Sequence, residues 1–469
     1  MSDKAMSLAD ARNEAQKATA ARERLTALFD PDSFVEVGAL VKNGCDGTGV
    51  ITGYGLVEGS PVYAFSQDST VRNGAVGAAH GSKIKKIYDL AVKTGAPVVG
   101  IYDSNGAAVD EGLDALAAYG EMLLWTNNLS GVVPQISVVA GVCAGSAALI
   151  AASADFVVMS EGAELFLTPA DADSAVDAAN AAKSGVAHIV EKDAAAAVAA
   201  ARRLVSLLPS NNLSAAPYCD FTEAPGAAAA LDALAAGIAD HADVLAIAEQ
   251  IADADSLIEL QKAFSGTGAR VALGTVAGTT VGFVAASDSG AVCSGGCSKI
   301  ARFVAICDSF QIPVVTLVNC EKFAAADGHV FQGGVREAAK LAHVYAEATT
   351  PKVAVIVGKA YGSACVALAG RGANADYAIA WPNAVISALA PETAVAFLEG
   401  DKITLEKSRA EVEAEYLANE AGALAAAAKG HIDDVVDPAD TRAAVISALD
   451  MLAGKRVSTL PKKHGNISM

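Results

Sequence analysis

Two short segments of the chain place small residues where a β-branched run gives way to an alanine-rich one. Ile136–Gly141 reads as a buried strand and leads through Cys143-Ala144-Gly145-Ser146-Ala147 into a helix; Val353–Val357 leads likewise through Ala360-Tyr361-Gly362-Ser363-Ala364. Small residues at such a junction let a ligand approach the main chain, and the following helix aims N–H groups at it that have no intrahelical acceptor. That is the arrangement of an oxyanion hole, where each donor to charge developing on a carbonyl oxygen is worth about 3 kcal/mol. Gly145-Ser146 and Ser363-Ala364 are therefore the candidate catalytic positions, acting through amides. Close helix–strand packing explains either junction alone equally well. Two at equivalent places argue for two polarised carbonyls.

Other chemistry finds little support. The chain has no GxxxxGK[ST] loop, no GxSxG elbow, no HExxH helix and no EF-hand loop. Gly47-Thr48-Gly49 lacks the follow-on spacing of a dinucleotide fingerprint and reads as a hairpin turn between strands. The seven histidines are dispersed, and His80 and His188 are expected to be structural. The eight cysteines carry no paired CxxC spacing, and Cys293 and Cys297, the closest pair, have no second pair nearby. Free thiols in a reducing cytoplasm are expected, and no metal site.

The elements that must position the two junctions come from an internal repeat. Residues 47–68 resemble 266–288, with Gly47, Gly49, Gly55 and Gly59 opposite Gly266, Gly268, Gly274 and Gly278. Both stretches alternate and turn on glycine, the pattern of a hairpin. Ser82-Lys83-Ile84 opens a helical stretch ending at Pro97-Val98-Val99; Ser298-Lys299-Ile300 opens another, ending at Pro313-Val314-Val315 with identical spacing. The junctions are the third match, each running on to Ala154-Asp155-Phe156 or Ala375-Asp376-Tyr377. Two homologous α/β domains follow, residues 1–218 and 228–469, each a layered β-spiral flanked by helices. An alanine-rich, charged stretch near 222–256 bridges them and supplies the first helices of the second.

Composition limits the partners. At 469 residues and 53% apolar the chain can bury more than one core, and its formal charge of −19 argues against nucleic acid or an anionic membrane as the main partner. The N-terminal stretch mixes both charge signs around Asp3, Asp10 and Glu14 and reads as neither signal peptide nor mitochondrial presequence, so the expected location is cytoplasmic. The uncharged window Ile136 to Ala154 is long enough to imitate a membrane span. Its glycines at 141 and 145 favour a strand, turn and helix instead.

Further short motifs fall in order along the chain: Ala21-Arg22-Glu23-Arg24-Leu25 with Asp30-Pro31, Ser66-Gln67-Asp68, Ala79-His80-Gly81, Lys183-Ser184-Gly185-Val186-Ala187-His188, Leu208-Pro209-Ser210, Lys359-Ala360-Tyr361-Gly362, Ala380-Trp381-Pro382 and Pro461-Lys462-Lys463-His464-Gly465. Together they resemble the biotin-dependent acyl-CoA carboxyltransferase family, which includes β subunits of propionyl-CoA carboxylases and α subunits of methylmalonyl-CoA decarboxylases. The resemblance implies an α/β fold of two duplicated crotonase-like (ClpP/crotonase) domains, the first on the acyl-CoA side and the second on the biotin side. It implies that the amides of Gly145 and Ser146 hold the thioester oxygen as an enolate, and those of Ser363 and Ala364 the ureido oxygen of biotin. Ala144, Gly106 and Ala107 would line the acyl-CoA, and Gly362 and Val366 the biotin. Biotin would arrive on a separate carrier protein, with a biotin carboxylase subunit or a sodium-pump membrane subunit as further partner. The acyl-CoA of one subunit's first domain would meet biotin on another's second, in at least a dimer and by family habit a hexamer. Propionyl-CoA or methylmalonyl-CoA is the first substrate choice.

The departures bear on that expectation. Serine replaces a second glycine at 146 and 363, Asn105 and Ala108 stand for a glycine and an arginine, and Val366 stands for an aspartate often used in acyl-group selection. The loop usually rich in proline and glycine reads Asn319-Cys320-Glu321-Lys322-Phe323-Ala324. Two alternatives stay open: a decarboxylase that runs the transfer backwards, and a scaffold subunit that has lost the biotin site.

Overall fold

Each stretch of glycine-punctuated alternation folds as a hairpin, and each hairpin starts a sheet of the same design. The structure, a computed structural model, describes residues 7–43, 46–168, 176–240, 243–266, 268–325, 328, 331–458, 460–462 and 465–466. Lys463 and His464 of the C-terminal motif lie outside the described residues. The chain forms two compact units, Met1–Pro217 and Tyr218–Met469. Residues 219–227, left between domains by the sequence reading, lean on the second: Cys219 N–H donates to the Gly278 carbonyl and Ala254 N–H to that of Thr222, each at 2.9 Å.

The first unit contains β1 (Val35–Glu36), β2 (Val50–Val57), β3 (Ser60–Gln67), β4 (Val98–Ser104), β5 (Gln135–Ala144), β6 (Phe156–Ser160), β7 (Glu164–Phe166) and β8 (Ile189–Glu191). The second repeats them as β9 (Ile258–Leu260), β10 (Arg270–Val276), β11 (Thr279–Ala286), β12 (Val314–Cys320), β13 (Lys352–Tyr361), β14 (Tyr377–Ala380), β15 (Val385–Ser387) and β16 (Asp434–Val435). The sheet orders correspond strand for strand: β1-β2-β3-β4-β5-β6-β8 with β7 on β5, and β9-β10-β11-β12-β13-β14-β16 with β15 on β13. The first three strands of each sheet are antiparallel and the rest parallel.

Helices occupy equivalent places. The first unit has α1 (Ala20–Leu28), α2 (Ala78–Thr94), α3 (Leu113–Leu129), α4 (Ser146–Ala152) and α5 (Ala194–Leu207). Their counterparts are α6 (Val244–Ile251), α7 (Ser294–Ser309), α8 (Gly334–Glu347), α9 (Gly362–Ala369) and α10 (Thr441–Leu452). The parallel strands β6, β12 and all but one residue of β13 are buried along their length, as strands covered on both faces must be. The window that imitated a membrane span is β5, a glycine and α4; among the described residues no helix is long and apolar enough to cross a membrane.

Both hairpins close through two residues of positive φ, Glu58-Gly59 (50° and 79°) and Ala277-Gly278 (49° and 77°), the primed turn that matches strand twist. An aspartate grips each turn. Asp30 accepts the N–H groups of Glu58 and Gly59 at 3.1 and 2.9 Å, and Asp253 those of Ala277 and Gly278 at 3.0 and 2.9 Å. An arginine from the last helix region locks each aspartate: Arg202 to Asp30 at 2.5 Å and Arg442 to Asp253 at 2.6 Å. Each arginine also donates to the end of the helix before its aspartate, at the carbonyl of Leu28 or Ile251. Buried lysines pin the sheets to their first long helices, Lys83 donating to the Val50 carbonyl at 2.7 Å and Lys299 to that of Ala269 at 2.9 Å. Burial pushes both amines down to about 8.

Candidate functional site

The register makes each junction. β4 and β5 pair evenly from Val98–Gln135 to Tyr102–Val139, then shift so that Ser104 meets Cys143. Past the shift β5 changes partner, pairing Val142, Cys143 and Ala144 with Glu164, Leu165 and Phe166 of β7. In the second unit β12 and β13 pair from Val314–Lys352 to Val318–Ile356, then shift to Cys320–Ala360, and Lys359 to Tyr361 pair with β15. A glycine sits at each shift because there is no room for a side chain. A Cβ on Gly141 would lie 2.3 Å from Asp103 Oδ1, and one on Gly358 2.4 Å from Asn319 Oδ1.

At the first junction Gly145 adopts φ 64° and ψ −131°, a conformation reserved for glycine, and turns the chain into α4. The sequence reading made the Gly145 amide a donor to the ligand. In the structure that N–H is engaged by the Phe166 carbonyl at 2.8 Å, whereas the Ser146 N–H has no main-chain acceptor among the described residues. The Ser146 N–H opens the first turn of α4, upstream of any acceptor the helix supplies, and Ala148 N–H closes that turn on the Gly145 carbonyl at 3.0 Å. Gly106 lies alongside: with φ 111°, a Cβ on it would come within 3.7 Å of the Ala144 carbonyl. Its loop is bound to the segment before α2, Val76 N–H donating to Gly106 O and Ala108 N–H to Val76 O, both at 2.9 Å, so that Val76 bridges Ala107. Gly106, Ala107, Ala144, Gly145 and Ser146 therefore form one small-residue cluster.

At the second junction Gly362 has φ 47°, and a Cβ there would lie 3.1 Å from the Ala388 carbonyl. Ser363 is exposed and Ala364 buried, both in the first turn of α9. Val366 stands further along the same helix with 64% of its surface exposed. The neighbours here are polar. Glu321, next after β12, pairs with Lys359 at 2.6 Å, and the Lys359 N–H donates to Asn319 Oδ1 at 3.0 Å. Burial raises the Tyr361 phenol, and the nearby carboxylates of Glu321 and Glu392 raise it further. The sequence shows Glu321 only as a departure from a familiar loop and Lys359 only as the start of a family motif; the ion pair joins residues 38 apart, with no local signal.

Neither singled-out histidine is poised for proton transfer. Gln67 Oε1 accepts Asp103 N–H at 3.1 Å, so its amide nitrogen faces His80 Nε2 at 3.3 Å. Nε2 is then the acceptor, and the ring proton sits on Nδ1, 3.0 Å from the Thr48 carbonyl. A second ring proton would meet the Gln67 NH2 donor to donor, and burial holds the imidazole down at about 3. His188 Nδ1 accepts the Val157 N–H at 3.1 Å. Burial pushes the thiols of Cys320 and Cys297 up to about 11 and about 12, which makes them poor nucleophiles. Cys293 Sγ accepts the Gly296 N–H at 3.4 Å and so caps α7. What the geometry offers is main-chain donation at two junctions.

A family model described as the carboxyl transferase domain matches residues 12–467. The methylmalonyl-CoA decarboxylase subunit alpha of Veillonella parvula is 36% identical over 488 residues, covering 98% of this chain and 94% of that protein. The methylmalonyl-CoA carboxyltransferase 12S subunit of Propionibacterium freudenreichii subsp. shermanii is 37% identical, with 97% and 92% covered. A transcarboxylase 12S crystal structure, described as a hexamer with hydrolysed methylmalonyl-coenzyme A bound, matches with a TM-score of 0.90 at 36% identity, covering 98% of this chain and 94% of its own.

Proposed function

This chain belongs to the carboxyl transferase family, and we propose that it moves a carboxyl group between biotin on a separate carrier protein and the α-carbon of an acyl-CoA, propionyl-CoA or methylmalonyl-CoA first. The reading extends to a cytoplasmic oligomer, a hexamer by analogy with transcarboxylase 12S. Its further partner is a biotin carboxylase subunit or, for the decarboxylating direction, a sodium-pump membrane subunit. The observation that carries it is the paired junction: equal strand pairings, an equal register shift and an equal glycine–oxygen contact precede both helix starts.

On the acyl side the Ser146 N–H donates to the thioester oxygen, and the donation strengthens as the α-proton leaves and charge moves onto that oxygen. Gly106 and Ala144 keep the wall beside it thin. On the other side the first-turn N–H groups of Ser363 and Ala364 suit the ureido oxygen of biotin, next to a glycine whose Cβ space is closed by Ala388. Biotin, when bound, supplies the carboxyl group and a ring nitrogen able to take the α-proton. The chain contributes position and fixed dipoles at both oxygens.

The test is reconstitution. Purified protein given acyl-CoA, ATP and bicarbonate should show no turnover, and adding a carboxylated biotin carrier should start it. Turnover without any carrier defeats the proposal. The scaffold alternative is favoured by one observation, the Glu321–Lys359 ion pair beside the second junction. Protein that binds acyl-CoA but no biotin analogue would select it.

A further inference from the structure

The loop that carries Gly106 and Ala107 continues into a short 3-10 turn, Val109–Glu111, whose last side chain returns to the segment before α2. Glu111 Oε2 accepts the Ala78 N–H at 2.7 Å, capping α2 from outside the helix. Glu111 Oε1 accepts from Asn43 Nδ2 at 2.7 Å and from the Arg72 guanidinium at 3.0 Å. We propose that Glu111 is a positioning residue for the acyl-CoA side, holding Gly106 and Ala107 in place against Ala144 and Ser146. The proposal rests on the functional reading above.

The loop touches the rest of the unit through main-chain bonds at its near end, from Asn105 N–H to Asn73 O at 3.1 Å to the Val76 bridge. Glu111 fastens its far end. The segment it fastens to is held out of the ordinary: Arg72, Asn73 and Gly74 all have positive φ, at 52°, 53° and 67°. Such a run persists only where its surroundings fix it, and the guanidinium of Arg72 is fixed by Asp110 and Glu111 of the same loop. Gly77 shows how closely the carboxylate is seated. Its φ of −119° and ψ of −172° would admit alanine, yet a Cβ there would lie 2.1 Å from Glu111 Oε1. The Ala78 N–H, then the Arg72 and Asn43 donors, hold the Glu111 carboxyl below its usual range. A glutamine cannot replace it, since its NH2 would face a donor whichever way the amide turned.

Two variants test this. Glu111→Gln removes the charge, and Gly77→Ala leaves the charge but occupies the space of the carboxylate. Each should raise KM for acyl-CoA about tenfold while KM for the carboxylated carrier stays within about twofold, and amides of the 105–112 loop should exchange faster with solvent. An unchanged KM for acyl-CoA in folded variants overturns the proposal, as does an equal rise in both KM values, which a merely structural role would give. If Glu111→Gln does not fold, Gly77→Ala carries the test. Parent protein that binds no acyl-CoA would remove the functional reading instead, and loop exchange in Gly77→Ala would still decide whether the carboxylate holds the loop.

Discussion

The two halves use one scaffold with different margins. Asp30 and Arg202 lock the first hairpin with side chains 24% and 27% exposed; Asp253 and Arg442 do the same in the second at 2% and 8%. For Asp253, burial works against the charge, and hydrogen bonds from Thr275, Arg442 and the two turn amides overcome it, leaving the carboxyl below its ordinary range. The register shift likewise recurs with Asp103 in one half and Asn319 in the other. Asp103 is satisfied by Arg24 at 2.9 Å and Ser69 at 3.0 Å; Asn319 instead accepts the Lys359 N–H. Geometry has been kept where it makes a junction, and charge has been free to change around it.

That contrast can be broken at three depths. The largest effect should come from the buried lock: Arg442→Met strands Asp253 without its counter-ion and should cost about 3 to 5 kcal/mol. Arg202→Met, at the more exposed copy, should cost about 1 kcal/mol. Urea unfolding of the two variants measures both, and equal costs would refute the difference in margin. Next come the junction amides. Ser146→Pro deletes the N–H at the first helical position, where proline is tolerated, and Ala364→Pro deletes one at the third position of α9; in folded protein each should slow carboxyl transfer about a hundredfold, or about 2.7 kcal/mol. The first should weaken response to acyl-CoA and the second to the carrier; loss of the same partner in both would show that the halves are not divided this way. The third test is acid sensitivity of the first half. His80 is neutral when folded, near pKa 3, and ionises at about 6.5 when unfolded, so its contribution is complete above pH 6.5 and declines as pH falls toward 3. By pH 5 the loss is about 2 kcal/mol. In the second half Gly296 stands at the corresponding place after Cys293, with no imidazole to protonate. Hydrogen exchange at pH 5 should therefore loosen residues 48–80 before their counterparts.

Much of this is legible in the sequence. The glycines at 59 and 278, and the small residues at 145 and 362, mark conformations few other residues adopt, so repeat and junctions could be read from spacing. The donor pattern at Gly145 could not, because its partner, Phe166, comes from a three-residue strand that no periodicity announces. The arginine locks were hidden for a related reason: Arg202 and Asp30 are 172 residues apart and Arg442 and Asp253 are 189 apart, so neither pair leaves a local pattern. Glu111 was silent too. A carboxylate three residues past Ala108 reads as an exposed loop charge until the fold brings Ala78 and Arg72 to it.

The oxygen seated where Gly141 or Gly358 would carry a Cβ also sets the order in which mutations can be accepted. A change at either glycine is closed while its neighbour keeps that oxygen, whereas exchanging aspartate for asparagine at the neighbour leaves the occupied space unchanged. After a duplication, drift in charge at 103 or 319 is an open step and drift in size at 141 or 358 is not. The history of the two halves should therefore be written in the carboxylate and the amide, with the glycines left as the fixed points from which it is dated.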